Sequence, residues 1–463
     1  MSIVDELSAL VGPHRVSVDP IDLERHSRDL STKALISKRT GTTRVAAHCV
    51  VRPRSTEQVV SVLRWADETG TCVVPYGGGS GVCEGIAASE GIVVDTRAMC
   101  EIVDFDEKSR LVRVESGVLG ADLRKALHSW GYTLGHEPQS INISTVGGWV
   151  ATRACGQLSV RYGGIEDMVA GVEAVLPGGR LVRSKASPRK STGPDVAQLM
   201  LGSEGTLGIV TEVMLRVHPL PTETAHACLR FEHMSDGVAA CRRIVQSPLA
   251  PVMMRLYDHD DAALLLRNLD EPETLPILLL TFDGDGAVEQ AEAARRLSEG
   301  SPGDDSIVAH WWEHRNDAVD EFQLLMAGDG LLGPHAVVDT MEVSATWTRL
   351  RELYHSMKET LTPLADFVGC HLSHAYPDGA CLYFTMAGAC DDDEEARARH
   401  DGWWATGMAA CLAAGGSISH HHGIGRMKAP WLEREMGGWI EIMRAVKRAV
   451  DPKGIMNPGA LGL

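Results

Sequence analysis

The chain has 463 residues, too many for one hydrophobic core, so two or more lobes are expected. Hydrophobic residues at 44% and charged residues at 23% give an ordinary globular balance. The net charge of −18, from 44 Lys+Arg against 62 Asp+Glu, excludes a general nucleic-acid binder and confines any anionic ligand to a place where a few Arg converge.

The 11 cysteines are scattered without Cys-x-x-Cys spacing, as in reduced thiols of a cytoplasmic protein. The N-terminus lacks the basic and apolar regions of a signal peptide, and no apolar run reaches the length of a membrane span. Residues 1–44 read as one helix (3–10) and a polar lead-in. From 45 to 221, short β-branched runs alternate with glycine turns: Cys49-Val50-Val51, Cys72-Val73-Val74, Gly91-Ile92-Val93-Val94 and Leu111-Val112-Arg113-Val114. Helical periodicity occupies 55–69 and 120–130, so this is an α+β or α/β domain. The stretch 215–221, with Pro219 and Pro221, marks a boundary. A second lobe, 222–427, predicts helices at 233–246, 286–299 and 346–361 and strands at 277–282, 336–343 and 380–386. Its acidic run, 391–395, is a solvated helix start. A last helix, 436–450, leads to Asp451-Pro452-Lys453-Gly454-Ile455-Met456-Asn457-Pro458, a turn by which residues 428–463 return to the first domain.

Three small-residue segments stand beside strands of the first domain. Pro75-Tyr76-Gly77-Gly78-Gly79-Ser80-Gly81 can turn successive backbone N–H groups inward, as a pyrophosphate requires. It is neither Gly-x-Gly-x-x-Gly nor a Walker loop. Gln139-Ser140-Ile141-Asn142-Ile143-Ser144-Thr145 leads into Val146-Gly147-Gly148-Trp149. Glu204-Gly205-Thr206-Leu207-Gly208-Ile209-Val210 runs into a strand. Together they suggest a long cofactor threaded across one domain.

In the second lobe, Ser419-His420-His421-His422-Gly423 concentrates groups that titrate near neutrality. If the stretch is extended, His420 and His422 point one way and His421 the other, so the three do not readily share a metal. Arg255, within Met253-Met254-Arg255-Leu256-Tyr257, is a cation in apolar surroundings, where a charge without compensation is costly.

The order and wording of these segments, with the C-terminal Asp-Pro-Lys-Gly-Ile-Met-Asn-Pro, resemble the vanillyl-alcohol oxidase / PCMH flavoprotein superfamily and its FAD-linked oxidase branch. Within it the chain most resembles the alkylglycerone-phosphate synthases. That likeness is carried by Gly135-His136-Glu137-Pro138, Ser144 to Ala154, Ile165-Glu166-Asp167, Ser191-Thr192-Gly193-Pro194-Asp195 and Ser419 to Gly425. The resemblance implies an α+β fold: a PCMH-type, two-subdomain FAD-binding domain over 45–221 and an α/β cap with an antiparallel sheet over 222–427. It implies that Pro75 to Gly81 and Gln139 to Thr145 wrap the FAD pyrophosphate and adenylate. It places Thr152, Arg153, Ala154 and Cys155, and Glu204 to Val210, near the flavin and adenosine. Some members tether the flavin through a His in the first glycine loop; this loop has none, so FAD is expected to be non-covalent.

The synthase likeness further implies an acid/base set of Tyr376 (in His374-Ala375-Tyr376-Pro377-Asp378-Gly379-Ala380), His420, His421 and His422. It assigns a functional place near the flavin to His136, and substrate phosphate contacts to Arg255 and Arg315. The implied reaction exchanges the fatty acid of an acyl-dihydroxyacetone phosphate for a fatty alcohol at the flavin N5, with no net electron transfer. The same residues also suit an FAD-linked oxidase or dehydrogenase of a 2-hydroxy acid such as D-lactate, glycolate or 2-hydroxyglutarate. The metal-binding dehydrogenases of that kind have a Glu where this chain has His421, and a second His where it has Leu382, so no metal is expected, although His371 and His374 nearby leave that alternative open. The expected partners are a small or lipid-like anionic substrate and a second copy of the chain, with room for peripheral membrane contact and no nucleic acid.

Overall fold

The computed structural model describes all residues except 1, 88, 268–273, 329 and 331. The chain divides into two compact units. One comprises Met1–Cys155, Gly164–Leu220 and His421–Leu463; the other comprises Gly156–Gly163 and Pro221–His420. Two of the seams between these units fall at 220/221 and 420/421.

Residues 1–44 begin with a helix that packs into the first unit. The helix Ile3–Val11 is capped by Ser2, whose hydroxyl accepts from the Asp5 N–H. It drives Leu7 and Val11 into the core of the first unit, against Val59, Val62, Leu63 and Ala66. Those four follow helical spacing on Thr56–Thr69, a helix begun by a Ser55 cap and ended by Gly70 at φ 69°. Burying each of the Val and Leu side chains here is worth about 1.5–3 kcal/mol. The same core takes in Ile455 and Met456, which is how the C-terminal turn joins the unit.

Two sheets frame this unit. The first runs in the order Val16–Ser17, Ala47–Val51, Gly91–Asp95, Val73–Tyr76, with the last three strands parallel. The second is antiparallel: Ile102–Asp106, Leu111–Glu115, Ile209–Arg216, Val169–Leu176, Arg180–Arg183.

The second unit is built on one seven-stranded antiparallel sheet. Its order is Ser301–Pro302, Thr224–Arg230, Ile277–Asp283, Met253–Tyr257, Phe367–Ala375, Gly379–Gly388, Val337–Thr346. Helices Met234–Val245, Ala287–Ser298, Trp347–Leu361 and Asp393–Ala413 pack on it. On Trp347–Leu361, Leu350, Leu353, Met357 and Leu361 form the buried stripe. The acidic run does start a helix: Asp392 caps Asp393–Ala413 by accepting from Glu394 and Glu395. Residues 156–163 belong here because Arg161 and the Tyr162 hydroxyl both bond the Asp283 carboxylate. Among the described residues, no helix is long and apolar enough to cross a membrane.

Candidate active site

In the first unit, the three glycine segments, distant in sequence, come together. A β-carbon on Gly77 would fall 2.4 Å from the Thr145 hydroxyl, and one on Gly78 only 1.9 Å from the Ile143 carbonyl oxygen. A β-carbon on Gly205, at φ +73°, would fall 2.7 Å from the Pro75 ring. At Gly78 backbone therefore packs on backbone, and at all three positions the approach leaves room only for glycine. Among the described residues, no group accepts from the N–H of Gly77, Gly78, Gly79 or Ser80. A half-buried run of free amides suits a pyrophosphate, and these residues fit FAD.

Side chains in these segments mostly hold the cradle together. Tyr76 is buried against His26, 4.4 Å between ring centres, and under the Arg97 guanidinium. Ile141 lies wholly in the core, and Ser144 accepts from the Trp149 indole at 2.8 Å. The Thr145 hydroxyl caps the helix Val146–Thr152. Thr152 bonds back to the Gly148 carbonyl, and Arg153, at φ 55°, ends that helix and pairs with Glu166. Gln139 and Ser140 are half-buried, Asn142 and Ile143 are exposed, and Cys155 is buried. Beneath the glycine loop, Asp29 accepts from the Ser31 and Gly85 N–H groups, and burial pushes its carboxyl up to about 7.

Two of the expected site residues are engaged inside the protein. The Glu204 carboxylate accepts from Ile424 N–H at 2.7 Å and Gly425 N–H at 2.8 Å. Burial raises its carboxyl above the usual range, while those two amides oppose the shift. His136 is 2% exposed, edge-on to Trp149 at 4.6 Å, and burial alone pushes its imidazole down to about 3. It lines a cavity of about 10 Å³ with Thr133, Arg124 and Glu137, room for one water. Burial favours the neutral imidazole, and among the described residues neither of its ring nitrogens has a hydrogen-bond partner.

The His triplet is not extended. Residues 420–422 form consecutive bends, and the rings of His421 and His422 pack edge to face at 4.5 Å. The seam between the units passes between His420 and His421, so the triplet does not belong to one unit.

Within the second unit, the structure joins Tyr376 to His420: the phenol oxygen stands 2.9 Å from Nε2. The His420 ring also stacks on His374 at 5.0 Å. His374 takes φ 53° at a bulge in its strand, where the register slips between Ser373 and Ala375. Its Nδ1 reaches the Ser159 hydroxyl at 2.6 Å. The fully buried Glu342 carboxylate accepts from the His420 N–H and, at 2.9 Å, from Ser419. Sequence reading passed over Ser159 and Glu342. The signal for Glu342 was a carboxylate inside an apolar strand, the same signal that picked out Arg255.

Arg255 is 7% exposed, its guanidinium 4.8 Å over the Trp311 ring. Strand register lines up Tyr257, His371, Tyr383 and Glu342 in one row across four strands. Arg255 Nη1 lies 3.3 Å from His371 Nε2, and among the described residues no carboxylate pairs with it. Arg315 is differently engaged. It follows the helix Asp305–His314, donates to the Trp312 carbonyl and lies 4.3 Å over the Trp312 ring.

Two family descriptions match the chain: "FAD binding domain" over residues 47–185 and "FAD linked oxidases, C-terminal domain" over 220–461. The FAD-linked oxidoreductase YgcU of Escherichia coli strain K12 is 31% identical over 483 residues, 99% of this chain and 98% of that one. Alkyldihydroxyacetonephosphate synthase of Dictyostelium discoideum is 29% identical over 99% of this chain and 80% of its own. Glycolate oxidase subunit GlcD of Bacillus subtilis strain 168 is 28% identical over 89% of this chain and 88% of its own. Among solved structures, an alkyldihydroxyacetonephosphate synthase superposes with a TM-score of 0.78 at 27% identity, covering 98% of this chain and 84% of that one. p-Cresol methylhydroxylase, at 16% identity and a TM-score of 0.73 over 99% of this chain and 96% of its own, shares the fold. The two glycine-cradled sheets and the seven-stranded sheet are thus the PCMH-type flavoprotein fold, and the chain belongs to the FAD-linked oxidase family as an FAD-dependent enzyme.

Proposed function

We propose that the enzyme acts in the manner of the alkylglycerone-phosphate synthases: it exchanges the fatty acid of an acyl-dihydroxyacetone phosphate for a fatty alcohol and so makes an ether-lipid precursor. The observation that carries this reading is the Tyr376–His420 hydrogen bond of 2.9 Å. A phenol that exchanges a proton with an imidazole is the acid/base pair that departure of one oxygen substituent and entry of another require. Arg255 supports it. A buried guanidinium with no carboxylate partner favours an anionic head group, and a phosphate compensates its charge.

FAD, when bound, supplies the reactive ring, and Gly77 to Ser80 offer the amides for its pyrophosphate. The first glycine loop offers no His for a covalent link, so FAD is taken to be dissociable. Tyr376 gives or takes the proton at its phenol oxygen, and His420 Nε2 is its partner. Oxidation of a 2-hydroxy acid is the second reading, with kinship to GlcD in its favour. Against its metal-assisted form, Leu382 stands where those enzymes place a second His, and it is fully buried in the core.

Anaerobic incubation with acyl-dihydroxyacetone phosphate and a fatty alcohol is expected to release fatty acid and form the ether without an electron acceptor, as read by mass spectrometry. Flavin bleaching by D-lactate or glycolate, reversed by an acceptor, with no ether formed, would establish the second reading instead. Denaturation is expected to leave all the yellow colour in the supernatant; flavin retained on the precipitated chain overturns dissociable FAD.

A further inference from the structure

The anion seat rests on Arg255, and the residues around it decide how that guanidinium is held. Arg255 Nη1 donates to His371 Nε2 over 3.3 Å, and His371 Nδ1 lies 2.7 Å from Oδ2 of Asp261. These two contacts select one tautomer. Because Nε2 accepts, Nδ1 carries the proton and donates to Asp261. The imidazole is further fixed between two rings, Tyr257 at 5.1 Å and Tyr383 at 4.9 Å. Asp261 is itself fixed in the first turn of the helix His259–Leu266, where its N–H donates to Asp258 Oδ1 at 2.9 Å. Arg255, His371 and Asp261 are 7%, 8% and 5% exposed.

A direct Arg255–Asp261 ion pair would neutralise the seat. The interposed ring holds the carboxylate one imidazole away, so the guanidinium is aimed by a hydrogen bond and keeps its charge for an incoming anion. We propose that His371 is the positioning residue of the anion seat: a neutral imidazole, its tautomer set by Asp261, that aims Arg255 while keeping the carboxylate off it. The inference rests on the reading of Arg255 as the residue that holds the substrate's anionic group.

The charged and titratable groups around the ring are Asp261 and Asp258 at the helix start, Arg255 and Tyr257 on one strand, and Tyr383 on another. Burial holds the His371 imidazole below its ordinary range, in keeping with a neutral acceptor. A second proton would abolish the acceptor and drive Arg255 away.

The test uses the full FAD-loaded chain titrated with dihydroxyacetone phosphate and with D-lactate by calorimetry. Arg255→Ala and His371→Leu are each expected to weaken binding of the preferred probe by about tenfold or more. His371→Gln, whose amide can accept from Arg255 and donate to Asp261, is expected to stay within about threefold of wild type. Asp261→Asn keeps the shape but can donate to Nδ1, which turns Nε2–H toward Arg255; weaker binding is expected, and it serves if His371→Leu does not fold. Affinity of the wild type should fall on acidification, and that acid limb should vanish in His371→Gln. If Arg255→Ala weakens binding and His371→Leu and Asp261→Asn do not, this inference fails and the anion seat stands. If His371→Gln loses as much as His371→Leu, the ring is merely structural and the inference fails. If Arg255→Ala changes nothing, or wild type binds neither probe, the seat itself fails and the inference with it.

Discussion

Tyr376 and His136 show what one residue's surroundings decide. The Tyr376 hydroxyl has an imidazole 2.9 Å away and is half-buried, so removing that oxygen removes a proton-transfer partner and little packing. Tyr376→Phe is expected to lower kcat by about 10²–10⁴-fold with a small change in KM, as read by steady-state turnover. His136 looked equally chemical in the sequence, yet it is an internal residue. Its folded pKa of about 3 lies below the ordinary 6.5, so the unfolded chain binds the extra proton between those values. Its contribution to stability is therefore full above pH 6.5 and is lost as the pH falls toward 3. His136→Leu is expected to make the loss of stability between pH 6.5 and 4 shallower by about 1.4 kcal/mol per pH unit, measured by urea unfolding. An unchanged slope would show that the imidazole is charged in the fold. The sequence named both residues, but burial separated them, and burial is a property of neighbours that a motif does not record.

Among elements, the glycine loop was legible and its construction was not. A run of glycines after a strand announces free amides. That Gly78 stands over the Ile143 carbonyl is a meeting of segments 65 residues apart. Gly78→Ala forces a backbone displacement and is expected to cost about 1–3 kcal/mol of stability and most of the FAD affinity. Flavin retained through gel filtration at wild-type stoichiometry would contradict this. Long amphipathic helices such as Thr56–Thr69 and Trp347–Leu361 were readable from their periodicity to within a residue or so. The helix Asp393–Ala413 was visible only at its acidic start, because its buried face mixes Ala396, His400 and Gly407 with Trp403, Trp404 and Met408. The bulge that sets His374 at φ 53° leaves no mark in the sequence, since any residue can occupy the strand it interrupts.

At the scale of the whole chain, the two ends are part of the first unit's core. Asp451 accepts from Lys447 at 2.5 Å and from the Ile455 and Met456 N–H groups. Lys447 also donates to the Thr206 and Met456 carbonyls. Asp451→Ala would leave a buried ammonium without its counter-ion and two buried N–H groups without an acceptor. A loss of about 3–5 kcal/mol is expected in urea unfolding, with weaker FAD retention; a change under 1 kcal/mol would contradict the closing role of this turn. The sequence by itself determined the cofactor class through the family resemblance that its motif order carries, and the two-part organisation through proline punctuation and helical periodicity, which are local patterns. It also singled out Arg255, because a cation inside an apolar strand violates a local rule. Only the tertiary structure decided that Glu204 holds the Ile424–Gly425 turn, that His136 is internal, and that His371 and Asp261 stand behind Arg255. Those are contacts between residues far apart in sequence, made by strand register and packing, and no short window of the chain contains both partners.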